Sequence, residues 1–211
     1  MTAPCMEQTI NNPNKQAGKL KILGLVASPR KEGNTAWIVN KILEGAKEQG
    51  AETQVWYFSD HDVKPCRGCL SCHRGDQGCV IKDDMQALYV AIDQADAIIL
   101  GSPIYMGQMS AQAKIVTDRL FAQISPRFSP YYKEKAAKKQ LILTFNQGNP
   151  DPGMFQVYID YTKHMFALLE FDVKAVPVVT GLRNEPACEK ADLLAALWNI
   201  GSSLASERGS E

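Results

Sequence analysis

Hydrophobic and polar positions change rhythm repeatedly along the chain. Residues 20–28 (LKILGLVAS) form a short apolar run suited to a strand buried on both faces. Ile38, Val39, Ile42, Leu43 and Ala46 then recur at helical spacing. The same alternation continues downstream. Strands are predicted at 53–59 (TQVWYFS), 96–103 (DAIILGSP), 140–148 (QLILTFNQG) and 172–181 (DVKAVPVVTG). Helices are predicted from about Asp84, over 111–121, over 153–170, and along the stripe Leu193, Leu197, Ile200 and Leu204. Pro177 lies inside the last strand, which argues for an edge position because proline cannot donate to a ladder.

Five strands alternating with five helices predict an α/β fold with a doubly wound parallel sheet. Right-handed crossovers leave few topologies, and the flavodoxin-like order 2-1-3-4-5 is the economical one. In that order a ligand sits at the carboxyl ends of the strands, near the switch point between strands 1 and 3. Residues 1–19 are polar and read as a flexible N-terminal arm. Residues 20–211 read as one domain, with a cysteine-rich loop at 66–79 after strand 2. The insert around residues 122–138 carries several aromatics and reads equally as a flap, a subunit contact or a solvated loop.

The chain of 211 residues is 45% hydrophobic, enough for one full core, and its formal net charge is zero. That balance gives no long-range attraction to nucleic acid or to an anionic membrane. The N-terminus lacks a basic-then-apolar leader pattern, and no run of about 18 apolar residues suggests a span. A cytoplasmic location is expected. There, paired disulfides are disfavoured, and clustered cysteines point to metal or redox chemistry. Cys5 and Cys188 lie far from the cluster and read as isolated thiols.

Strand 1 ends in SPRKEGNTA, which is neither a Walker A loop nor a Gly-x-Gly-x-x-Gly fingerprint. Ser28, Asn34 and Thr35 offer side-chain donors, Arg30 a charge, and the helix start free N–H groups. This set suits a phosphate monoester, and the plainer alternative is a helix cap by Asn34 or Thr35. After strand 3, Pro103, Ile104, Tyr105, Met106 and Gly107 carry little charge and suit a flat ring, with Ser110 capping the next helix. After strand 4, Asn146, Gln147 and Gly148 are placed to close the other side. Asp118 and Arg119 read as a structural ion pair.

Cys66, Cys69, Cys72 and Cys79 fall within fourteen residues. Three thiols in a Cys-x2-Cys-x2-Cys run can wrap one iron–sulfur cube, and the glycine-containing spacer 73–78 lets Cys79 fold back to it. Structural zinc usually pairs two ligand couples across a longer spacer, so it fits less well. A third possibility is that the thiols are structural and hold nothing. His73 reads as a surface histidine. Arg67 and Arg74 are placed to offset an anionic cluster, and Asp83 and Asp84 to open the next helix.

The segments GLVASPRKEGNTA, PCRGCLSCHRGDQGCVIKDDM and SPIYMGQMSAQAKIVTDR resemble the NADPH-dependent FMN reductase group of flavodoxin-like proteins, and within it the iron–sulfur flavoproteins. The resemblance runs from about Lys21 to Arg119 and then weakens to fold level. It implies FMN at the first three loops, a [4Fe–4S] cluster on Cys66, Cys69, Cys72 and Cys79, and a homodimer or tetramer. It also implies NAD(P)H or a reduced electron carrier as donor. Relatives that keep some of these cysteines without a cluster leave a second possibility, a cluster-free NAD(P)H-dependent FMN or quinone reductase. Because the cofactors carry the chemistry, no catalytic residue is nominated.

Overall fold

A computed structural model describes residues 19–74, 78–123 and 138–206 of the chain. The N-terminal arm up to residue 18, part of the cysteine spacer (75–77) and most of the insert (124–137) lie outside the described residues. The strands are β1 (Lys21–Val26), β2 (Glu52–Tyr57), β3 (Ala97–Tyr105), β4 (Gln108–Met109), β5 (Lys139–Asn146), β6 (Phe171–Ala175) and β7 (Val178–Val179). The helices are α1 (Asn34–Glu48), α2 (Met85–Gln94), α3 (Ala111–Arg119), α4 (Gln156–Leu168) and α5 (Ala191–Ser206).

The sheet runs β2-β1-β3-β5-β6, with β4 paired to β3 and β7 paired to β5. Every pairing is parallel except β3 with β4. Apart from the two short additions this is the expected order 2-1-3-4-5, so the flavodoxin-like fold is confirmed. The predicted fifth strand is split instead of continuous. The break falls at 176–177, where Pro177 has no N–H for a ladder, and its carbonyl accepts from Phe145 N at 3.0 Å. Both pieces lie beside β5 at the sheet edge, as that proline requires.

The continuous apolar runs follow from burial on both faces. Side chains alternate along a strand. Leu23 and Leu25 of β1 therefore pack among Leu88, Ile92, Val116 and Phe166, while Ile22 and Val26 pack among Ile38, Ile42, Leu197 and Leu204. Helices α2, α3 and α4 contribute to the first core, and α1 and α5 to the second.

Helices α1 and α5 approach backbone to backbone. A Cβ at Gly201 would collide with the carbonyl of Ile42, and one at Gly45 with the carbonyl of Trp198. Neither obstacle is a flexible side-chain tip, so the helices must separate to admit a methyl. Gly201→Ala is expected to cost about 1–3 kcal/mol, lowering the thermal midpoint by roughly 5 °C. An unchanged melting curve would show that the two helices are not in this contact.

Candidate functional site

The carboxyl ends of β1, β3 and β5 gather the first, third and fourth loops. Ser28 is buried, and its Oγ accepts from Arg30 N at 3.1 Å. Thr35 is turned inward, and its hydroxyl donates to Asn146 Oδ1 at 2.8 Å in a buried bond. Residues proposed from two loops 111 positions apart are thus bound directly to each other. Asn34 Oδ1 accepts from Ala187 N at 3.0 Å. The cap alternative is not what forms, because Gly33 occupies the N-cap and no side chain caps α1. The first turn of α1 carries no acidic residue. Its first N–H groups and its dipole therefore favour an anion, with Arg30 folded back against Gly33.

The segment expected to border a ring, Pro103 to Gly107, is a hairpin and not an open loop. Tyr105 pairs with Gln108 and Ile104 with Met109, and the turn is Met106–Gly107 with φ of 49° and 82°. Positive φ at both central residues is the type I′ signature that follows strand twist. Met106 is fully exposed and Tyr105 41% exposed, whereas Pro103 is buried beside Asn146 in the β3–β5 register. Ser110 caps α3 as expected. Its Oγ accepts from Ala113 N at 3.1 Å and donates to Ala27 O at 2.6 Å. The hydroxyl therefore ties the third loop to the first.

Gln147 is buried, and its amide N–H groups donate to Asn149 O and Asp151 O. Its Oε1 is buried without a hydrogen-bond partner among the described residues. Sequence patterning missed the segment 181–187 that completes this edge. Gly181 N donates to Asn149 O at 2.9 Å, Leu182 N to Gln147 O at 3.2 Å, and Ala187 N to Asn34. The strap links the fourth loop to the start of α1. It has no periodicity, and only its Gly and Pro mark it as loop. An uncapped helix start, a cation against it and an unpartnered buried acceptor nearby make this edge fit a phosphorylated ring cofactor such as FMN.

The cysteine segment leaves β2 and curls back. Gly68 and Leu70 both take positive φ, 63° and 58°, which turns the chain between successive cysteines. Cys66, Cys69, Cys72 and Cys79 all line one cavity of about 780 Å³, together with residues of β4, α3 and α4. A hydrogen bond from Ser71, aided by Arg67, lowers the pKa of Cys69. Burial raises that of Cys72, and the charges of Cys79, Cys66 and Cys69 raise it further. The four thiols are therefore electrostatic neighbours. Among the described residues, however, no group of three or more His, Cys, Asp or Glu is drawn together tightly enough to hold a metal ion. The donor chemistry fits an iron–sulfur cluster, while the described arrangement is more open than a closed metal site. His73 is half-buried, with Nε2 bonded to Phe121 O at 3.0 Å.

Arg119 pairs with Asp83 and not with Asp118, which instead binds Lys114. Spacing suggested the sequence neighbour, but adjacent residues on a helix point to different faces. Both partners of the true pair are buried, at 0% and 1% side-chain exposure. Arg119 donates to both Asp83 oxygens and to Lys64 O, and Asp83 also accepts from Lys64 N and Met85 N. The pair thus fastens both ends of the cysteine segment, two residues before Cys66 and four after Cys79. Asp83 and Asp84 open α2, as expected: Asp84 stands at its N-cap with its side chain holding Asp62 N, and Asp83 Oδ1 accepts from Met85 N.

Fold and loops together define a flavodoxin-like domain. Residues 20–176 match the NADPH-dependent FMN reductase family, and the chain belongs to it. It is similar to an iron–sulfur flavoprotein of Methanosarcina thermophila, 44% identical over 100 residues, covering 47% of this chain and 52% of the relative. It is also similar to one from Methanocaldococcus jannaschii, 41% identical over 100 residues, covering 47% and 51%. The matched region spans about half the length of these curated relatives. An NAD(P)H:quinone oxidoreductase from Methanothermobacter marburgensis shares the fold. Its TM-score is 0.66 at 14% identity, covering 89% of this chain and 98% of that one. Among the described residues no helix is long and apolar enough to cross a membrane.

Proposed function

We propose that the chain is an iron–sulfur flavoprotein moving electrons between a two-electron donor, NAD(P)H or a reduced carrier, and a one-electron acceptor. The observation that carries this is one cavity lined by all four thiols and by Gln108 and Met109 of β4, the strand that pairs with the end of β3. FMN supplies a centre that takes two electrons together and releases them singly, and a [4Fe–4S] cluster supplies a one-electron centre. The first turn of α1 and Arg30 hold the phosphate. Ser28, Asn34 and Thr35 brace that loop, Thr35 through Asn146. Pro103 to Gly107 border one side of the ring, and Gln147 and Gly148 the other. Cys66, Cys69, Cys72 and Cys79 hold the cluster.

The exposed Met154, Val157, Tyr161 and Leu168, on α4 and just before it, support a homodimer or tetramer. The experiment is steady-state NAD(P)H oxidation by FMN-loaded protein with a one-electron and a two-electron acceptor. Cysteine-to-serine variants should lose one-electron acceptor reduction and keep reduction of a quinone. A second reading, a cluster-free NAD(P)H-dependent FMN or quinone reductase, is favoured by the exposure of Cys66 and Cys69. It predicts that the variants match wild type with both acceptors.

A further inference from the structure

We propose that Arg183 is a phosphoryl-binding residue at the carboxyl edge of the sheet, a role that rests on reading this edge as a nucleotide site. Arg183 rides on the 181–187 strap and lies across Gly148. A Cβ built at Gly148 would stand 3.5 Å from the Arg183 Cβ and 3.7 Å from its Nε, so the guanidinium stem covers the bare backbone of the fourth loop. The strap is held there by its bonds to Asn149 O and Gln147 O and by the bond from Ala187 to Asn34. The strap that carries this arginine therefore runs from the fourth loop to the start of α1.

The surrounding charges leave that arginine available. Among the described residues Arg183 has no ion pair, and its side chain is exposed. Glu185, two residues on, is taken by Lys190 at 2.6 Å. Lys31 of the first loop is taken by Asp60. Arg30 stands against Gly33 without an ion pair among the described residues, and Glu32 is the nearby exposed acid of that loop. Two guanidinium groups, one beside Gly33 and one beside Gly148, and an uncapped helix start thus lie at the carboxyl edge of the sheet. A planar, permanently charged fork matches phosphoryl oxygens in pairs, and a strap fixed at both ends limits the ordering cost of using it. The phosphoryl group can belong to the cofactor or to a dinucleotide donor.

The test compares the full-length wild type with Arg183→Ala and Arg183→Lys. Each is titrated with FMN and with riboflavin, which lacks the phosphate. Each is also assayed for NAD(P)H oxidation and for the rise in melting temperature given by inorganic pyrophosphate. If the cofactor is the source, Arg183→Ala weakens FMN roughly tenfold and leaves riboflavin unchanged. If the donor is the source, FMN binding holds and the KM for NAD(P)H rises roughly tenfold at constant kcat. In both cases pyrophosphate protection falls, and Arg183→Lys recovers part of the loss. Equal losses for FMN and riboflavin, or no change in any arm, overturn the proposal. A wild type that binds no flavin defeats the flavin function instead, and the pyrophosphate arm still decides on Arg183.

Discussion

Asp83→Asn is expected to destabilise the domain by about 3–5 kcal/mol, the cost of leaving a buried charge uncompensated. At 2–4 °C per kcal/mol for a chain of this size, the thermal midpoint falls by roughly 10 °C or more. Asparagine keeps the shape of Asp83 but cannot neutralise Arg119, whose side chain is fully enclosed. It also cannot accept from Lys64 N, Met85 N and two guanidinium nitrogens through two equivalent oxygens. The pair is not replaceable from nearby, since Asp118 faces Lys114. Replacing both partners together, Asp83→Leu with Arg119→Met, should recover much of the loss, because no buried charge is then left alone.

The same pair sets a pH dependence. Burial works against ionisation of Asp83, but Arg119 and the backbone N–H groups of Lys64 and Met85 outweigh it, and its pKa is lowered. A carboxyl with a depressed folded pKa stabilises fully above its unfolded pKa. That stability is lost as pH falls through the folded value. The advantage of wild type over Asp83→Asn should therefore be constant at neutral pH and shrink only below about pH 4. Urea titrations of both proteins at several pH values measure it, and a gap that closes near pH 6 would contradict this assignment.

On the proposed cluster assignment, Cys72→Ser is expected to remove nearly all iron and sulfide from a protein that should otherwise carry about four of each. Cys72, half-buried like Cys79, is the thiol whose ionisation burial and then the charges of the other three thiols oppose. Serine cannot supply the thiolate that iron–sulfur chemistry needs. FMN binding should be unchanged, because none of the four cysteines belongs to the loops that end β1, β3 and β5. Iron and sulfide assays with flavin fluorescence separate the two losses.

Much of this was legible in the sequence. Central apolar runs alternating with amphipathic helices dictate a parallel sheet, and β1, β3 and β5 each carry such a run. Ser110 was readable as a cap because a serine before a helix satisfies orphan N–H groups. What escaped has a common cause. The Arg119–Asp83 pair joins positions 36 residues apart, and nothing local marks a buried ion pair. The strap at 181–187 is defined by backbone bonds to distant loops. The Met106–Gly107 turn places a methionine at positive φ, which no propensity favours. The inward turn of Thr35 toward Asn146 depends on the β1–β3–β5 assembly. The thiol spacing, by contrast, needed no tertiary information.

The most direct test of a flavin and a cluster in one domain is an anaerobic absorbance spectrum of the purified full-length chain, with iron, acid-labile sulfide and zinc analysis. Flavin bands above a broad cluster absorbance, with about four iron and four sulfide per chain, are the expected result. A yellow protein with flavin bands alone and no iron, or one that holds zinc, would contradict it.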